Sequence, residues 1–196
     1  MEAKTEKTKD RSGGEATWAE LLRRHAEHAG EHPHEGVPEH HPKAAILACS
    51  DARVPPSVLF GQPAGSLFLV RLAGNSATPG AVASLTYAVE ALGTDLIVVL
   101  GHTGCGAVTA AFEHVADRAL AAVVDPISDA ITISPDCRDV GDAVIENVRC
   151  NVRRLRDDDG ALGRAIAEGR LVVRGAVHDL VSGELRPVED ATGVRD

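Results

Sequence analysis

From residue 44 onward the apolar residues fall into short unbroken blocks, separated by stretches with helical spacing. The blocks at 44–49, 67–71, 96–101 and 171–175 are aliphatic and nearly continuous, as expected for strands of a parallel sheet covered on both faces. Between them, 82–92 is apolar at helical spacing and 106–115 begins another helix. Val144, Val148 and Leu155 recur near the helical period, which predicts a helix over 141–155. Asp157-Asp158-Asp159-Gly160 reads as a solvated turn leading into a short helix at 161–167. Ser182-Gly183 leads into a closing hairpin that ends at 184–188. Strands alternating with helices predict an α/β fold: a mainly parallel central sheet flanked by helices, in a single domain.

Outside these blocks the pattern is weaker. Residues 1–15 are polar and contain glycine, and they read as a disordered tail that leaves 16–196 as the folded domain. Thr17 is placed to cap a helix running to about His28, with Glu20 completing a capping box. The prolines and glycines of 30–38 mark a loop. Pro126 and Pro135 break 116–145, where the pattern is hard to read ahead of the helix at 141–155.

Composition narrows the function. With 44% hydrophobic residues in 196, the chain can bury one sizeable core, and at 3% aromatics that core must be aliphatic. A net charge of -9 without a Lys/Arg-rich patch argues against nucleic acid and anionic membranes as partners. No apolar run approaches the roughly 18 residues that span a bilayer. The charged stretch 1–11 lacks the apolar core of a signal peptide, so a cytoplasmic location is expected. In that compartment 4 cysteines suggest metal binding or catalysis before disulfides.

The chemistry concentrates after the first and third strands. Cys49-Ser50-Asp51-Ala52-Arg53 follows one, and Gly101-His102-Thr103-Gly104-Cys105-Gly106 follows the other. Two strand ends can bring Cys49, His102 and Cys105 together at the carboxyl edge, where open α/β sheets bind ligands. Three such donors form a zinc site with a fourth position open, and open zinc makes hydroxide near neutral pH. Two thiolates cancel the metal's charge, so its water should be less acidic than on three histidines. In an extended segment Cys49, Asp51 and Arg53 point to one side. Arg53 then keeps Asp51 ionised, and Asp51 can accept a hydrogen bond from the hydroxide and aim it. Gly104 and Gly106 let the backbone approach the metal, and Gly106 opens a helix whose N–H groups face an anion.

These runs resemble the β-class carbonic anhydrases. The resemblance extends through Phe68-Leu69-Val70-Arg71-Leu72-Ala73-Gly74-Asn75 and Ser84-Leu85-Thr86-Tyr87-Ala88-Val89, and weakly to 173–188. It implies a lyase that hydrates carbon dioxide reversibly to bicarbonate and a proton. Cys49, His102 and Cys105 would hold the zinc, Asp51 and Arg53 would form the catalytic dyad, and the working unit would be a homodimer or a larger assembly of dimers. In some family members the equivalent of Asp51 becomes a fourth ligand and closes the site. Two positions depart from the family pattern. His40 stands where many plant-type members have a substrate-contacting Gln. Ile46 stands where bicarbonate-regulated members carry Trp, although Arg71 and Tyr87 match the rest of that site, so no such switch is expected. On the same scaffold the hydroxide could instead hydrolyse carbon disulfide or carbonyl sulfide, or the chain could be a weakened zinc-binding homologue.

Other candidates carry less. His25, His28, His32, His34, His40 and His41 form a His-rich segment that reads as a polar linker, with His40 the first candidate for proton export. Cys137 and Cys150 lack partner spacing, His114 reads as polar surface, and His178 reads as a packing residue in the last strand.

Overall fold

The computed structural model describes residues 11–29, 37, 39–115, 117–133 and 137–189, in two compact units, Met1–Glu39 and His40–Asp196. The described element of the first unit is a helix, α1 (Arg11–Ala29). It starts earlier than the expected Thr17. Thr17 lies inside the helix, its hydroxyl donating to the Gly13 carbonyl, and caps nothing. Ion pairs of Glu20 with Arg23 and Arg24, and of Arg23 with Glu27, support the helix through spacings of one turn. Residues 11–15 of the expected tail are therefore helical, and 1–10 lie outside the described residues.

In the second unit the chain runs β1 (Ala44–Ala48), α2 (Pro56–Leu59), β2 (Leu67–Arg71), a 3₁₀ turn (Ala73–Asn75), α3 (Pro79–Glu90), β3 (Leu96–His102) and α4 (Gly106–Phe112). It continues through α5 (Ala121–Thr132), α6 (Val140–Arg156), α7 (Ala161–Ala167), β4 (Val172–His178) and β5 (Leu185–Val188). The sheet order is β2-β1-β3-β4-β5; the first four strands are parallel and β5 is antiparallel. All five residues of β1 are buried, which accounts for its unbroken apolar run. Ala45, Leu47 and Cys49 face the main core with Leu85, Val108, Ile127 and Val148, while Ala44, Ile46 and Ala48 face a smaller cluster with Leu59 and Phe60.

The chain leaves β1 toward β2 on one side and returns to β3 on the other. This makes the gap between the carboxyl ends of β1 and β3 the topological switch point. Ala48 pairs with Leu100, so Cys49 and the end of β3 emerge side by side.

Three elements differ from expectation. α3 begins at Pro79 rather than at 82, because Thr78 accepts a hydrogen bond from the Ala81 N–H and Pro79 suits the first turn. β4 continues to His178, pairing it with His102. Pro126 does not end the chain's regularity but sits within α5. An interior proline costs about 3 kcal/mol, which is offset because α5 buries Val124 and Ile127 at about 1.5–3 kcal/mol each. Pro135 lies outside the described residues.

Close packing lies beneath the site. α6 seats Val148 on two strand glycines: a Cβ at Gly101 would meet Val148 Cγ2 at 2.5 Å, and one at Gly175 would meet Val148 Cγ1 at 2.8 Å. Gly101→Ala should therefore destabilise the protein by about 1–3 kcal/mol, read by urea unfolding, and displace the adjoining His102. Wild-type stability would show that α6 has room to yield.

Candidate active site

Cys49 leaves the end of β1, His102 closes β3, and Cys105 precedes the first turn of α4. All three are buried, and one donor atom from each lies within 4.8 Å of the others. Gly104 takes a positive φ of 64° between the two β3-side donors, reversing the chain so that both face Cys49. The Thr103 N–H donates to the His178 carbonyl at 3.0 Å, and the Thr103 hydroxyl accepts from the Leu180 N–H at 2.9 Å. The turn is thus tied to the end of β4, and this is the role His178 plays at the site.

The donor set fits zinc. Two sulfurs each about 2.3 Å from a tetrahedral zinc stand about 3.8 Å apart, and Cys49 Sγ and Cys105 Sγ are 3.9 Å apart. His102 Nδ1 lies 3.0 Å from the Thr103 carbonyl, so the ring donates its proton there and presents the lone pair of Nε2. Nε2 is buried without a hydrogen-bond partner, which is the state of an imidazole placed to receive a metal.

Electrostatics favour the same arrangement. A hydrogen bond from Cys105 is the main influence that holds the Cys49 thiol well below the usual thiol range against the opposing effect of burial, and His102 and the Gly74 N–H add to it. Cys105 shifts upward, because it keeps the shared proton beside the Cys49 thiolate and is itself buried. Burial works against a charged His102, but the neighbouring Cys49 sulfur, the Thr103 carbonyl and the Asp51 carboxylate outweigh it and raise its pKa.

Asp51 is gripped by Arg53. Arg53 Nη2 reaches Asp51 Oδ2 at 2.6 Å, Nε reaches Oδ1 at 2.9 Å, and the Arg53 N–H also donates to Oδ1 at 2.9 Å. This grip holds the carboxyl well below the usual carboxylate range. Its Oδ2 stands 3.9 Å from His102 Nε2. Arg53 also donates to the Gly104 carbonyl at 3.2 Å, so one guanidinium joins the loops from both strands.

A model of the carbonic anhydrase family matches residues 44–185, a span that holds every residue of this cluster. The chain belongs to the carbonic anhydrase family. It is 34% identical over 151 residues to carbonic anhydrase 2 of Mycobacterium tuberculosis, covering 72% of each chain. It is also 34% identical over 174 residues to a carbonic anhydrase of Pseudomonas aeruginosa, covering 77% of this chain and 75% of that one. Its fold is similar to that of a β-carbonic anhydrase of Aspergillus fumigatus, with a TM-score of 0.72 and 26% identity over 90% of this chain and 91% of that one. The expected β-class fold is therefore the fold present.

Other residues singled out in this carbonic anhydrase lie elsewhere. Gly106 is exposed at the start of α4. His40 is exposed and stacks on Phe68 at a centroid distance of 6.1 Å, and Phe68 leans on Tyr87 at 6.2 Å. His25 and His28 are exposed on α1, and His114 is exposed with a positive φ. His32 and His34 lie outside the described residues. Cys137 and Cys150 are half-buried free thiols. Asp158 does more than make a solvated turn: its Oδ2 accepts from the N–H groups of Gly160 and Gly163 and so caps α7.

Two supports of the site are not legible in the residue pattern. Arg71, matched only to a regulatory site, donates through Nε to the Cys49 carbonyl at 2.9 Å and through Nη2 to the Asp51 carbonyl at 2.6 Å. Gly74, at φ 74°, aims its N–H at Cys49 Sγ from 3.4 Å. A glycine after an Arg-bearing strand signals special backbone geometry, but nothing in its spacing says which atom the backbone serves.

Proposed function

We propose that this enzyme hydrates carbon dioxide reversibly to bicarbonate and a proton, with zinc held by Cys49, His102 and Cys105. The single observation that carries the assignment is the buried trio of donors beside an Arg53-clamped Asp51. The relatives bear the name carbonic anhydrase, which supports carbon dioxide rather than a sulfur-containing analogue as substrate. Bound zinc supplies Lewis-acid activation of water near neutral pH.

The chain's own residues provide the rest. His102 keeps its proton on Nδ1, toward Thr103, and leaves Nε2 free to ligate. Asp51 stays ionised, accepts a hydrogen bond from the reacting water and so orients its lone pair. Arg53 holds Asp51 in that pose and, by engaging both carboxylate oxygens, keeps it from serving as a fourth ligand. Gly106, exposed beside Cys105, and His40 are the proposed substrate contacts, and His40 is also the proposed exit for the proton. Exposed apolar residues of the second unit, Leu69 and Tyr87 among them, support a homodimer or an assembly of dimers. The two site sulfurs stand unbridged 3.9 Å apart, which suits a reducing cytoplasm. No described helix is long and apolar enough to cross a membrane.

The test is stopped-flow hydration with a pH indicator at about pH 7 and about pH 8.5, which bracket the ionisation of zinc-activated water. We expect turnover at both values, lost on chelation of the metal and restored by zinc. Turnover only at the higher value would place Asp51 on the metal, and none at either would remove the carbon dioxide reading.

A further inference from the structure

The hydrogen bond to Cys49 is anchored in α6, a helix that contributes no group to the metal trio. Gly74 donates its N–H to Cys49 Sγ at 3.4 Å, and its carbonyl accepts from Asn147 Nδ2 at 2.8 Å. Asn151 lies one turn further along α6. It donates through Nδ2 to the Asn147 carbonyl at 2.7 Å and to Asn147 Oδ1 at 3.1 Å, and it accepts from the Ala77 N–H through Oδ1 at 2.6 Å.

Both ends of this relay dictate its direction. The Ala77 N–H can only donate, so the Asn151 oxygen must face it, which turns Nδ2 toward Asn147. The Gly74 carbonyl can only accept, so Asn147 must present Nδ2 to it, which leaves Oδ1 for Asn151. The two assignments agree at the central contact. Asn147 and Asn151 are 0% and 2% exposed, on the face where α6 otherwise buries Val144, Val148 and Val152. Two buried amides on an apolar face are costly unless fully paired, and these are paired through the segment that touches Cys49.

Gly74 has little freedom to find another pose. At φ 74° a Cβ would lie 2.3 Å from Ile127 Cδ1, so the residue is pressed against α5. With φ set, fixing the carbonyl also fixes where the N–H points.

We propose that Asn147 and Asn151 are positioning residues that aim the Gly74 N–H at Cys49 and thereby set how much electron density this sulfur gives to a metal. An N–H bond to a thiolate withdraws charge from the sulfur. It therefore counters the weakening of Lewis acidity that two thiolate ligands impose on zinc. The inference rests on the reading of Cys49 as a ligand. Partners one step removed from a ligand shift metal affinity by about 10–100-fold.

Cobalt(II) replaces zinc as the probe, because its thiolate charge-transfer band reports sulfur electron density whether or not the enzyme turns over. Affinity is read by competition with a chelator. Asn147→Leu removes the donor to Gly74, and Asn151→Ser removes the donor that orients Asn147. Val152→Ala is the control: it makes a cavity on the same helix, against Gly175 and away from Gly74. We expect the band to move to lower energy in both Asn variants, with affinity weakened about tenfold or more because the sulfur is no longer held in place and binds its competing proton more tightly, and the band to stay in place in Val152→Ala. If Asn147→Leu does not fold, Asn151→Ser decides alone. A band unmoved in the folded Asn variants, or moved equally in Val152→Ala, overturns the proposal and reduces the pair to loop packing. A wild-type cobalt protein without a thiolate band overturns the ligand reading itself, and the two failures are thus told apart.

Discussion

Cys49→Ser loses both zinc and carbon dioxide hydration. The serine hydroxyl is a harder donor than sulfur and stays protonated at neutral pH, so the site keeps only His102 and Cys105. Loss of a direct ligand should exceed the about 10–100-fold cost of disturbing an outer partner. Zinc per chain after gel filtration, measured by atomic absorption, should fall near zero, and stopped-flow turnover should fall with it. The fold should remain, because Cys49 is one small residue in an aliphatic core built from all four parallel strands. Circular dichroism would check this. A variant with full zinc content would show that Cys49 is a buried thiol and not a ligand.

Asp51→Ala keeps its zinc and loses most of its turnover. The carboxylate is not one of the three clustered donors, and its oxygens are taken up by Arg53. Removing it leaves the metal trio intact but leaves the reacting water without its acceptor. Misplacing a reacting atom by about 1 Å costs about a hundredfold in rate, and an effect of at least that size is expected on kcat. Arg53→Ala should follow in the same direction, since Asp51 remains but is no longer held by the guanidinium and is free to turn toward the metal. Measured together, metal content and kcat separate the dyad from the ligands. Full activity in Asp51→Ala would end the orienting role.

The departures from sequence expectation fall where local pattern and tertiary burial conflict. Pro126 marked a break, and α5 runs through it because burial of Val124 and Ile127 offsets the missing hydrogen bond. Thr17 and Glu20 have the spacing of a cap, yet the helix starts upstream of both. Asp158 looked like surface and caps α7. In each case a residue's type was plain and its partner was not.

The chain's own pattern determined the strands, because an aliphatic run buried on both faces has few alternatives, and it singled out the trio Cys49, His102 and Cys105 that the fold brings together, because Cys and His at two strand ends have a narrow chemistry. It also determined the Asp51–Arg53 pair, whose contact spans two residues. What only the tertiary structure decided is everything that joins distant segments. Arg71 reaches back from β2 to the backbone of the Cys49 loop, and Gly74 turns its N–H to the sulfur. Asn147 and Asn151 hold that turn from α6, more than seventy residues away. Hydrophobic periodicity reports which face is buried, whereas a hydrogen bond depends on where two particular atoms meet, and that is settled only when the helices have packed onto the sheet.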